Sequence, residues 1–133
     1  MSRVPPPSDW DWVQARHSCA IAAIFRQLEL DAQLNVEKRQ ALVKPDRDDF
    51  GFRFESRDKM FLVSRVASRG ARTVVFRLTS DHINVERLGG EEILRATVTL
   101  NNDGECRLRV EGQELDRWQL LRRALEGLFF DGP

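Results

Sequence analysis

Leu94-Arg95-Ala96-Thr97-Val98-Thr99-Leu100 places every apolar residue at an even position and every polar one at an odd position. Successive side chains of a strand point to opposite faces, so this stretch reads as a strand with one buried face. The same alternation runs through Phe50, Phe52 and Phe54, then Val74, Phe76 and Leu78, then Ile83 and Val85, then Cys106, Leu108 and Val110. A helical period would scatter these residues around an axis instead. Asn101-Asn102-Asp103-Gly104 separates two of the runs with residues that tolerate left-handed backbone. Ser56 to Lys59, Ser68 to Arg72, Ser80-Asp81 and Gly89 to Glu92 supply the other reversals. Connections this short force neighbouring strands to be antiparallel. The expectation is a six-stranded antiparallel meander, with strands at about 50–55, 60–67, 73–79, 82–88, 93–100 and 105–111. Met60 to Ala67 is apolar on both faces, which calls for a helix, a loop or another subunit over the second face.

Helices flank the meander. From about residue 9 to 43 the chain has no Pro or Gly, and Val13, Ala20, Ile21, Ile24, Phe25 and Leu28 recur at three- and four-residue steps. Ser8 or Asp9 suits the cap, and Pro45 stops the run. A helix of that length would extend roughly 50 Å at 1.5 Å per residue. A seven-residue strand reaches only about 23 Å. The helix therefore either breaks near residues 29–33 or packs its second half on the C-terminal helix or a second copy. Leu115, Trp118, Leu121, Leu125, Leu128 and Phe129 form the apolar face of that C-terminal helix, at about 114–130, which Asp131-Gly132-Pro133 ends. Residues 1–7, with Pro5-Pro6-Pro7, read as a disordered lead-in to a single domain at 8–133. The fold class is α+β, with helices on one face of the sheet. The order of meander and C-terminal helix is similar to helix-grip ligand-binding domains. One long helical run replaces their first strand and paired short helices, so the likeness does not imply a cavity.

Composition narrows function. With 21 basic and 21 acidic residues the formal net charge is zero, so no whole-molecule field attracts nucleic acid or anionic lipid. No apolar run approaches the roughly 20 residues needed to span a bilayer. Cys19 and Cys106 fall on apolar faces and read as two reduced, buried thiols of a cytoplasmic protein. His17 and Cys19 stand two apart on a helix and point in different directions, so with His82 and Cys106 they make no metal cage. Asp46 to Gly51 begins like a calcium loop, but Arg57 stands where the bidentate Glu is needed. Gly89-Gly90-Glu91-Glu92-Ile93 resembles the GGDEF/GGEEF signature of diguanylate cyclases over five residues. Strands surround it here, without the interleaved helices of that family, so it reads as a turn. The expectation is no catalytic residue, no metal and no cofactor.

Two surfaces remain. Arg53, Arg77, Arg95, Arg107 and Arg109 lie opposite the apolar residues of their strands and offer donors to phosphate or carboxylate. Trp10 and Trp12 stand too close in sequence to share one core, and Leu30 and Leu34 fall outside the helical seam. These four are the candidate interface. The leading expectation is a small non-enzymatic, homodimeric module that binds a protein or peptide, with no membrane partner. The next is a small-ligand domain whose pocket is lined by Phe50, Phe52, Phe54, Phe76, Phe129 and Phe130. The last is single-stranded nucleic acid bound on the arginine face.

Overall fold

A computed structural model describes residues 10–43, 50–68 and 70–130. The expected lead-in at 1–7, the Ser8 or Asp9 cap, the Pro45 stop and the stop at 131–133 lie outside these residues. The described chain runs α1 (Trp12–Ser18), α2 (Ile21–Ala41), β1 (Gly51–Arg57), β2 (Met60–Ala67), β3 (Gly70–Leu78), β4 (Ile83–Arg87), β5 (Glu92–Leu100), β6 (Cys106–Val110), β7 (Gln113–Leu115) and α3 (Arg117–Phe130). The strands form one antiparallel sheet in chain order, so the α+β meander with helices on one face is present.

The sheet has seven strands, not six. The extra one, β7, runs over residues where the helix was expected to begin, at about 114. Glu111 and Gly112 both adopt positive φ, 51° and 78°, the requirement of a two-residue hairpin turn. That tight turn sends Gln113–Leu115 back along β6, with Leu115 opposite Leu108. The α3 helix consequently starts three residues later than expected, at Arg117. The Asn101 turn is as its residues require. Gly104 N–H donates to the Asn101 carbonyl, and Asn101 Oδ1 accepts from the Asp103 and Glu105 N–H groups.

The N-terminal run is not one helix. It breaks at Cys19-Ala20, well before 29–33, and α2 is continuous across that later region. Asp11 caps α1 by accepting from Gln14 N–H at 3.0 Å. The 21 residues of α2 span about 31 Å at 1.5 Å each, which the sheet accommodates. Its second half packs on β1 of its own chain. Gln40 Oε1 accepts from Phe52 N–H at 2.7 Å, and a Cβ at Gly51 would lie 3.0 Å from that oxygen. The helix thus occupies a donor of the edge strand, and Gly51 permits the approach. The expected overhang does not exist.

Phe25, Leu28, Ala32 and Val36 of α2 and Leu120, Leu121, Ala124, Leu125 and Leu128 of α3 close over the apolar sheet face. Phe61 is the hub. It stacks on Phe76 at 4.4 Å between centroids and meets Phe25 at 5.2 Å and Phe54 at 5.8 Å. On the opposite face of the two-faced strand β2, Leu62 stands across from Val75. Val75 is only 1% exposed, yet it lies outside the cluster that the helices close.

Arg39 ties the helix ends to the sheet. Its guanidinium lies 4.6 Å from the Phe52 ring centroid and 5.0 Å from that of Phe130. Its Nε donates to the Phe129 carbonyl at 2.8 Å, one of the acceptors that a helix end leaves open. Replacing Arg39 with Ala removes a charge-assisted hydrogen bond and two ring contacts. The expected loss is about 2 kcal/mol of unfolding free energy, read from urea titration. A midpoint equal to wild type would contradict this role.

The two cysteines are bonded to each other. Cys19 and Cys106 form a disulfide with 5.5 Å between Cα atoms, which corrects the expectation of two reduced thiols. The break between α1 and α2 supplies the reason. It turns Cys19 out of helical direction and sets it beside the start of β6. Cys19 is 1% exposed, whereas Cys106 lies at the surface.

Candidate functional site

The five arginines of the polar sheet face do not gather. Arg53 lies on β1, Arg77 on β3, Arg95 on β5, and Arg107 and Arg109 on β6. Five strand spacings separate the first from the last, about 24 Å. Two of them pair with acids of the sheet, Arg77 with Glu86 at 3.0 Å and Arg95 with Glu92 at 3.4 Å. Arg53 and Arg109 are exposed. Cross-strand pairs such as Arg77–Glu86, and the Ser64–Thr73 hydroxyl contact at 2.8 Å, stabilise a sheet face without any ligand.

Arg107 differs from the other four. Its side chain is only 10% exposed. Its Nη2 faces Asp116 Oδ1 at 3.4 Å, and its buried Nε has no hydrogen-bond partner among the described residues. It sits where β7 stops at Leu115 and the chain turns into α3, and a cleft of about 430 Å³ opens there. Ile24, Leu108, Leu115 and Trp118 give this cleft apolar surface, and Asp31, Asp116, Arg107 and Arg117 give it charge. Arg117 Nε donates to Asp31 Oδ2 at 2.7 Å, and its Nη1 donates to Gln27. This bridge joins the start of α3 to α2.

A second surface runs along the outer sides of α2 and α3. Leu30 is 51% and Leu34 is 54% exposed, on the side of α2 turned from the sheet. Trp118 and Phe130 are exposed on α3. A groove of about 300 Å³ lies between the helices, bordered by Asn35, Trp118, Arg122, Phe129 and Phe130. Trp12 is exposed on α1 and Trp10 is half-buried. Among the rings expected to line an interior pocket, three pack on one another. Phe50 meets Phe52 edge-on at 5.3 Å, and Phe52 meets Phe129 likewise at 5.3 Å.

The turn between β3 and β4 holds a hydroxyl, an imidazole and a carboxylate. Thr79 Oγ1 lies 2.9 Å and Asp81 Oδ1 2.7 Å from His82 Nδ1. The hydrogen bond from His82 holds the Asp81 carboxyl below its ordinary range. Both contacts converge on one ring nitrogen. A proton relay needs the hydroxyl and the carboxylate on opposite nitrogens, so this arrangement shapes a turn and does not activate Thr79. Gly89 and Gly90, with φ of 116° and 107°, likewise form the reversal between β4 and β5.

No protein-family model, curated protein or solved structure matches this chain.

Proposed function

We propose that this chain is a small protein-interaction module that pairs with a second copy of itself through the outer face of α2. The observation that carries the reading is the exposure of Leu30 and Leu34, two large apolar side chains one helical turn apart. Their stripe continues to Ala23 and Ala41, each seven residues beyond a leucine and each exposed. The pattern is symmetric about residue 32. In an antiparallel two-fold pairing Leu30 meets Leu34 of the second copy and Ala23 meets Ala41, small residues that let the helices approach. Arg26 then falls near Glu37 of the second copy, which adds opposite charges at the flanks. The helix overhang that first suggested a dimer no longer supports it, since α2 is accommodated on its own sheet.

The reading gives no catalytic role to any residue. The bonded Cys19 and Cys106 support an oxidising compartment over the cytoplasmic setting expected from reduced thiols, because cytoplasmic reductants open most such bonds. No helix among the described residues is long and apolar enough to cross a membrane.

The pair Leu30→Glu and Leu34→Glu tests the interface. Both positions face outward, so the separated variant should keep the circular dichroism of the folded chain. Four carboxylates brought together across the two-fold should shift the sedimenting species from dimer to monomer. A double variant that sediments as wild type would remove α2 from the interface.

A further inference from the structure

We infer that the cleft between β6, the β7–α3 corner and α2 binds a small monocarboxylate with an apolar body, whose oxygens are received by Arg107. A guanidinium carries five N–H donors and stays charged in a protein. Arg107 is nine-tenths buried, its Nη2 meets one carboxylate oxygen at 3.4 Å, and its Nε, shielded from solvent, has no acceptor among the described residues, which leaves the terminal Nη groups to meet a ligand. A buried cation served this poorly is costly unless a further acceptor joins it. Among the described residues the other buried side-chain atom without a partner is Asn84 Oδ1, which belongs to a neutral amide and carries no charge to offset.

The rest of the cleft states what kind of acceptor fits. Asp31 and Asp116 also line it, so a dianion such as phosphate would meet two like charges. A carboxylate carries one charge, and its planar pair of oxygens matches the guanidinium fork. Asp116 is about half exposed, free to turn to water as the incoming carboxylate takes its place. Arg117 is already held by Asp31 and Gln27, so it acts as a fixed wall and not as the receiver. Ile24, Leu108, Leu115 and the exposed Trp118 ring offer the surface that an apolar body would cover. The volume, about 430 Å³, lies in the range of small-molecule sites. Cys106 lies at the cleft wall, so the disulfide fixes the strand that carries Arg107.

Calorimetric titration of the full oxidised chain with phenylacetate tests the assignment, with phenylacetamide and inorganic phosphate as matched probes. The expected result is saturable phenylacetate binding, weakened about tenfold or more by the amide, as loss of a charge-assisted bond entails. Phosphate should bind more weakly than phenylacetate. Arg107→Gln should lose phenylacetate binding by a similar factor, and Trp118→Ala should weaken it while leaving the carboxylate-over-amide preference intact. If Arg107→Gln fails to fold, the three probes on the wild-type chain decide the matter alone. Absence of saturable phenylacetate binding in the millimolar range would overturn the proposal. So would an amide that binds as well, a phosphate that binds better, or a folded Arg107→Gln that binds unchanged.

Discussion

Replacing Cys19 and Cys106 together by Ala will lower the unfolding free energy by about 4–5 kcal/mol, the chain-entropy value for a closed loop of this size. The bond joins residues 87 apart, from the α1–α2 break to β6, so it encloses both α2 and the first five strands. Without it, the unfolded chain regains the freedom of that whole loop. Domains of this size have a total stability of only some 5–15 kcal/mol, so the variant would be marginal. Urea unfolding of wild type, of the double variant and of wild type with reductant gives the measurement. The variant and the reduced chain should agree with each other and fall below the oxidised chain. Coincident curves for all three would mean that the bond contributes nothing to the fold.

Phe61→Ala carries the other large effect, an expected loss of about 3–5 kcal/mol. Phe61 is fully buried, and the rings of Phe25, Phe54 and Phe76 come from α2, β1 and β3 to meet it. Deleting it leaves a hole bounded by three elements that cannot all move inward, since the strands are held in register by the ladder. Leu88→Ala is the matched control. Leu88 is exposed on the β4–β5 turn, and its truncation should change stability by no more than about 0.5 kcal/mol. Equal losses from the two substitutions would place the core elsewhere.

The meander was legible because alternation is a local property. Leu94, Ala96 and Val98 declare a face without reference to any other strand, and Asn101 to Gly104 declare the reversal after it. The class of fold and the sheet's position between two helical regions followed from such signals. Three features were not local. The helix break at Cys19-Ala20 has neither Pro nor Gly to mark it; it accompanies a bond to a residue 87 positions away. Cys19 and Cys106 sit on apolar positions, where a free thiol and half of a disulfide look alike. The β7 strand is three residues long, too short for a period to register, and its Glu111-Gly112 turn lacks the Asn-Gly signature.

The candidate site divides in the same way. Arg107 was identified together with four other arginines, because alternation tells which face a side chain takes but not what stands beside it. Only the early end of β7 and the turn of Asp116 and Arg117 into α3 enclose Arg107 and leave Arg53 and Arg109 in water. Leu30 and Leu34 were legible as outliers from the helical seam, and they are exposed as that position implies. Trp118 was assigned to the apolar face of its helix, yet it is exposed at the rim of both the cleft and the groove.

Self-association through α2 is the central claim, and the molar mass of the oxidised chain in solution tests it most directly. Light scattering on a sizing column, at two concentrations, should give twice the 15.4 kDa chain mass at both. A mass of one chain at both concentrations would contradict the account, leaving Leu30 and Leu34 as exposed side chains of a monomer.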